Sequence, residues 1–244
     1  MSDVSVIYED EYLIAVDKPA GLLVHPSWLD RHESDTLSHR LKSYFQQQGA
    51  SHKVHTVHRL DRPTSGIMLV AKSEAVARDL AEQFRNGSIK KRYWAICRGF
   101  CEPEFSVDYA LVEQLDKIAD KYAQQDKPAQ PAVTYFKRLA IAELAHPVSR
   151  YSKSRFSWLE CQPETGRKHQ IRRHLKHVRH PILVDSRYGC RHHNKLAQQQ
   201  LGIASLALRA VSIDFFHPVL NKNMMLEVPA NPLWLSALRE FGWF

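Results

Sequence analysis

Asp61 stands between two arginines in the run His58-Arg59-Leu60-Asp61-Arg62-Pro63-Thr64-Ser65-Gly66. Positive charge on both sides favours the ionised form of a carboxyl group. The apolar run Ile67-Met68-Leu69-Val70-Ala71 follows at once and predicts a buried strand. The acid therefore falls at a rigid edge of the core, where a single carboxylate can act as nucleophile or base. The plain alternative is a structural Asp–Arg pair closing a turn, and nine residues alone favour it.

Two further groups carry chemistry. Lys90-Lys91-Arg92-Tyr93-Trp94-Ala95 offers an aromatic face that can stack a base and a phenol that can exchange a proton, although a strand tyrosine is more often core. Thr165-Gly166-Arg167-Lys168-His169-Gln170-Ile171-Arg172 sets cations at the start of a helix. A charge run is by default a solvated face, but the Thr-Gly before it and the His-Gln within it are more specific. His169, His174, His177 and His180 crowd the same helix, with Cys190-Arg191-His192-His193 close behind. Their spacings of five and three do not match the His-x-x-x-His of a zinc pair, so no metal is expected. His58 and His169 read as hydrogen-bonding supports of a site, and His192 and His193 as surface residues.

The elements that must hold these groups are legible in outline. Strands are predicted at Val4–Tyr8 and Leu13–Val16, joined by a hairpin at Glu9-Asp10-Glu11. Lys18-Pro19-Ala20-Gly21 turns the chain, and a helix follows around Leu37–Phe45. Ser73 caps a helix carrying Val76, Leu80 and Phe84 on one face and ending at Asn86-Gly87. A strand is predicted at Arg92–Arg98, an exposed excursion at Val112–Pro131, and strands at Ala132–Arg138, Phe156–Cys161 and Ser205–Ile213. Between the last two lies a helix with Ile171, Leu175 and Val178 as its apolar stripe, stopped by His180-Pro181. This order predicts one α+β domain with a mainly antiparallel sheet.

Composition limits the function classes. In 244 residues, 34 Lys and Arg against 26 Asp and Glu give a net charge of +8, which suits a polyanionic partner, with RNA, DNA and an anionic membrane as the candidates. Cys97, Cys101, Cys161 and Cys190 have no C-x-x-C spacing and make no disulfide scaffold. No signal peptide or long apolar span is visible, so a soluble cytoplasmic protein is expected.

The blocks, in this order, resemble those of the pseudouridine synthases of the RluA family. The likeness runs from about Ile7 to Trp243. It implies a pseudouridine synthase catalytic fold over residues 1–244, with a mixed, mainly antiparallel sheet, flanking helices, a central basic cleft and no S4 domain. It implies Asp61 as the catalytic residue, Arg172 as its partner and Tyr93 against the target base. His58, Arg59, Arg62, Arg167 and His169 become candidate substrate-binding residues. Lys18-Pro19-x-Gly21 matches an N-terminal block that shapes the fold. His180-Pro181-Ile182-Leu183-Val184-Asp185 matches a Pro-Ile-x-Gly-Asp element with Val184 in place of glycine, which puts the local turn in question. The peripheral segments His25–Arg31, Leu115–Lys121 and Phe241–Trp243 resemble members acting on tRNA at uridine 65 of the T-stem. No cofactor, metal or protein partner is implied. The alternatives are a ribosomal RNA synthase of the same fold and a non-catalytic RNA-binding or assembly module.

Overall fold

All seven residues of the strand Ser65–Ala71 are buried, which is why its sequence reads as an apolar run without alternation. This and the other elements come from a computed structural model that describes residues 4–26, 33–113 and 128–244. The segment His25–Arg31 lies largely outside the described residues, as do most of Val112–Pro131 and all of Leu115–Lys121. The chain divides into two compact units. One takes the described residues of Met1–Lys90, Val112–Pro128 and Ser212–Val228, the other those of Lys91–Leu111, Ala129–Val211 and Pro229–Phe244.

The first unit contains β1 (Ser5–Glu9), β2 (Leu13–Lys18), α1 (Leu37–Gln47), β3 (His55–Thr56), β4 (Ser65–Ala71) and α2 (Glu74–Arg85). β1 pairs antiparallel with β2, and β2 with β4, from Leu13 opposite Ala71 to Lys18 opposite Gly66. The predicted hairpin forms, and Asp10 closes it by accepting the amides of Tyr12 and Leu13 at 2.8 Å each. The second carboxylate oxygen of Asp10 accepts Tyr8 Oη at 2.8 Å and buried His217 Nε2 at 2.9 Å. Ser73 caps α2 as predicted, by accepting the amide of Val76, and Thr36 caps α1 through the amide of His39.

The second unit contains nearly all of β5 (Lys90–Arg98), then β6 (Glu104–Asp108), β7 (Val133–Leu144), β8 (Ser154–Pro163), α3 (Gln170–His177) and α4 (Arg191–Gln200). The strand β9 (Leu208–His217) contributes Leu208–Val211 here and its remainder to the first unit, where it pairs antiparallel with β10 (Lys222–Glu227). The helix α5 (Pro232–Glu240) closes the second unit. β8 pairs antiparallel with β5 on one side and β7 on the other, and β7 pairs with β6. Ile96, Phe156, Leu159, Leu175 and Leu238 are core residues of this unit. The carboxy-terminal Trp243 stacks on Phe241 and Trp158 and donates Nε1 to the carbonyl of Ile141 at 3.0 Å.

The architecture is α+β, and these strand pairs are antiparallel. Several strand boundaries differ from the sequence-based expectation. β7 runs to Leu144, with an irregularity between Arg138 and Ala140, and β8 gains residues at both ends. β9 starts at Leu208, because Ile203 and Leu206 are buried in the loop before it. Among the described residues, no helix is long and apolar enough to cross a membrane.

Candidate active site

Asp61 is half-buried in the turn that feeds β4, and its carbonyl accepts the amide of Thr64 at 3.0 Å. The Lys-Pro-x-Gly block grips this turn. Gly21 donates its amide to the Arg62 carbonyl at 2.8 Å, and Arg62 Nε returns a bond to the Gly21 carbonyl at 3.0 Å. The left-handed φ of 89° at Gly21 lets the two loops meet in this way. Lys18 is fully buried and spends its three N–H donors on the carbonyls of Pro19, Leu22 and Arg62, at 2.9, 2.9 and 3.2 Å. Burial pulls its ammonium down to about 8, against the partial counter-pull of Asp61 and Asp17. A buried cation beside the candidate carboxylate is thus part of the turn.

The neighbouring candidates divide into supports and exposed cations. His58 Nε2 accepts the amide of Leu69 in β4 at 2.9 Å, and its ring stacks on Phe84 of α2 with centroids 4.5 Å apart. It is a support of the strand that carries Asp61. Arg59 is exposed, and so is Arg62, whose Nη2 lies 3.2 Å from Glu33. His25, at the edge of the described residues, is held by Ser38 and Thr56 at 2.6 Å each. Burial lowers its pKa first, and the charges of Arg59 and Lys42 lower it further.

In the second unit, Gln170 explains the Thr165–Arg172 block. Its Oε1 accepts Thr165 Oγ1 at 2.7 Å and the Arg167 amide at 3.0 Å, while Nε2 donates to the Val133 carbonyl and Thr134 Oγ1, both at 2.9 Å. The loop is thereby tied to β7, and α3 starts where it ends. His169, at φ 57° just before the helix, directs its Nδ1 to Tyr188 Oη at 2.9 Å. Arg167 is exposed and donates Nε to the Pro131 carbonyl at 3.1 Å.

Arg172 is 4% exposed and forms a two-pronged pair with fully buried Asp185, Nε to Oδ2 at 2.7 Å and Nη2 to Oδ1 at 2.9 Å. Asp185 Oδ1 also accepts the amides of Arg187 and Tyr188 at 2.9 Å each. Burial pushes the Asp185 carboxyl up, but Arg172 and these amides more than offset it and hold it below its ordinary value. This pairing uses two of the five N–H donors of the guanidinium. Tyr93 sits on β5 opposite Cys161, half-buried, and Lys91 before it is lowered by burial.

The histidine cluster is built into the fold. Gln170 donates to Thr134 Oγ1, which bonds His174 Nδ1 at 3.0 Å, and His174 Nε2 meets the Tyr109 carbonyl at 3.1 Å. That chain assigns a neutral ring, and burial is the leading cause that lowers its pKa. His177 stacks on Tyr109 at 4.0 Å. His180 Nδ1 bonds the Arg98 carbonyl, and the Cys101 thiol raises its pKa. His192 is exposed as expected, whereas His193 is half-buried against Cys190 and Phe156, and burial brings it to about 4. The expectation of a surface residue fails there because α4, which carries it, packs on the core. Among the described residues, no group of three or more His, Cys, Asp or Glu side chains is arranged to hold a metal ion.

Sequence reasoning gave Lys18 only a shaping role and Asp185 and Tyr188 no role. For Lys18, which ends β2 and opens the turn block, no local signal announces burial. Asp185 carried only its place in a recurring block, because its contact with Arg172 depends on the turn at Val184. That turn exists: Val184 takes a φ of 58° where the family element has glycine.

Residues 12–177 match the family described as RNA pseudouridylate synthase. The chain is 44% identical to tRNA pseudouridine synthase C of Salmonella typhimurium over 238 residues, which span 98% of this chain and 90% of that protein. The protein of the same name from Pasteurella multocida is 45% identical over 98% of this chain and 96% of its own length. In Vibrio cholerae the identity is 43% over the same shares. Two solved human structures share the fold at a TM-score of 0.73. Human RNA Pseudouridylate Synthase Domain Containing 4 is 24% identical, covering 98% of this chain and 93% of that one. Domain Containing 1 is 20% identical, covering 95% and 88%.

Proposed function

Because this chain belongs to the RNA pseudouridylate synthase family, we propose that it converts uridine to pseudouridine in tRNA, at uridine 65 of the T-stem. The observation that carries the tRNA reading is the likeness, over 98% of the chain, to proteins named tRNA pseudouridine synthase C. The site residues are assigned by the blocks they stand in, and the two units act as one catalytic domain in the cytoplasm. The family match at residues 12–177 draws on both units, which supports that reading.

The reaction breaks the N1–C1′ bond of a uridine, turns the base and rejoins it through C5. The C5 proton is lost and N1 gains one, so no redox partner or group donor enters the balance. The target base is inaccessible inside a helix and must be flipped out. Asp61 then acts on the ribose, as nucleophile or as the base that takes a proton. In this reading Arg172 partners its carboxylate, while Tyr93 stacks the uracil and is the candidate acceptor of the C5 proton. Arg59 contacts phosphate or fills the space that the base leaves. Exposed Arg62 and Arg167 add to the sequence-independent grip on RNA, and His58 and His169 stiffen the elements beneath.

The test is pseudouridine mapping on an unmodified tRNA transcript incubated with the purified protein. A single T-stem pseudouridine is expected, with none in ribosomal RNA fragments. Asp61→Asn keeps the side-chain shape and should abolish the product while tRNA affinity stays within about twofold. Preference for ribosomal fragments would overturn the tRNA assignment, and turnover by Asp61→Asn within tenfold of wild type would overturn the role of Asp61.

A further inference from the structure

Arg172 is restrained from more sides than a salt bridge requires. The fork with Asp185 fixes the Nε and Nη2 edge of the guanidinium, at 2.7 and 2.9 Å. The ring of Tyr188 lies under the group, with its centroid 5.1 Å from Cζ. That ring is itself held at both ends. Its backbone amide bonds Asp185 Oδ1 at 2.9 Å, and its hydroxyl meets His169 Nδ1 at 2.9 Å. His169 directly precedes the helix that carries Arg172. The bonds therefore close a circuit, running Arg172, Asp185, Tyr188, His169 and back through the first turn of α3.

We propose that Tyr188 is the positioning residue for Arg172. Its ring fixes the tilt of the guanidinium that the carboxylate fork leaves open, and its hydroxyl fixes the ring. A two-pronged pair can hinge about the line through its two hydrogen bonds, whereas an aromatic face against one side of the cation stops that hinge. Tyr188 itself is half-exposed, so its ring sets one face of the guanidinium towards the surface of its unit. This inference rests on the reading of Arg172 as the partner of Asp61. Under that reading, the tilt of Arg172 sets the orientation of the catalytic carboxylate, and small misplacements there are costly to the chemical step.

The experiment compares Tyr188→Leu, Tyr188→Phe and Arg172→Met under saturating and single-turnover conditions on the tRNA transcript, with a thermal melt of each. Tyr188→Leu should lower kcat at least about tenfold while KM stays within about twofold. Tyr188→Phe keeps the ring under the guanidinium and should recover to within about threefold of wild type. In an Arg172→Lys background, where the planar group is gone, Tyr188→Leu should cause little further loss. Tyr188→Met replaces the leucine variant if that variant fails to fold. An inactive Arg172→Met beside a Tyr188→Leu or Tyr188→Met with normal kcat would overturn the positioning role. A raised KM with unchanged kcat would overturn it too, by making Tyr188 an RNA contact. An active Arg172→Met would instead overturn the parent reading.

Discussion

Asn194 accepts the backbone N–H of Val184 at 2.9 Å and so holds a β-branched residue at a left-handed φ of 58°. Its amide nitrogen donates to the Asp185 carbonyl, also at 2.9 Å, so one side chain straddles the strained peptide. A left-handed conformation costs a branched residue about 1–2 kcal/mol, and glycine escapes most of that. Val184→Gly should therefore raise stability by about 1 kcal/mol, read as a higher Tm with unchanged turnover. A lower Tm would mean that the packing of the Val184 side chain outweighs the strain.

Asp185 makes stability depend on acid. Its folded carboxyl lies below its ordinary value, so its contribution is complete above the unfolded value, about pH 4, and fades as pH falls through the folded one. Asp185→Asn breaks the buried two-pronged ion pair with Arg172 and should cost about 3–5 kcal/mol at pH 7. Denaturant melts from pH 7 to 3 should fall less steeply for the variant than for the wild type. Parallel curves would assign the acid sensitivity elsewhere.

Lys18 behaves in the opposite sense. With a folded value of about 8 against an ordinary 10.5, the buried ammonium opposes folding by about 3 kcal/mol below pH 8. That penalty is relieved as pH rises from about 8 towards 10.5, so stability should climb through this window and Lys18→Met should remove the climb. The neutral amine has two N–H donors for three carbonyls, which loosens the Asp61 turn. Turnover should therefore decline above pH 8, and Lys18→Met should lose at least about tenfold in kcat. A flat pH profile through 8 to 10 would separate Lys18 from the site.

The histidines of α3 should not make the enzyme dependent on zinc. Both ring nitrogens of His174 are engaged, by Thr134 and by the Tyr109 carbonyl. Protein purified without a His-tag is expected to hold less than stoichiometric zinc and to keep its turnover in chelator. Stoichiometric zinc whose removal stops turnover would contradict this.

What could be read in the sequence follows physical locality. β4 and the capped helix α2 were legible because burial on both faces and an N-cap are local signals. β7 was cut short because Tyr135, Lys137, Leu139, Ile141 and Glu143 alternate outward, and three of those are apolar enough to blur the period. α4 escaped notice because Leu196 and Ala197 are its only buried residues. α5 opens on a local start signal, Asn231-Pro232, in which Asn231 accepts the Trp234 amide, but its short apolar stripe carries little periodicity. In the site, Asp61 stood out by its flanking arginines and the apolar run behind it, and Arg172 through the resemblance of its block. The Arg172–Asp185 fork was not legible, since it spans thirteen positions and is made by a backbone turn that valine rarely adopts.

The ring stack at the carboxy terminus has an optical consequence. Of the five tryptophans, Trp94, Trp158, Trp234 and Trp243 all belong to the second unit, and Trp28 lies outside the described residues. Trp94, Trp158 and Trp243 pack ring against ring, with centroids 5.1 and 6.1 Å apart. Indole emission from a Trp28→Phe protein would thus come wholly from the half that holds Arg172, while Asp61 lies in the dark half. Emission set beside amide exchange in β4 would then show whether both halves melt in one step.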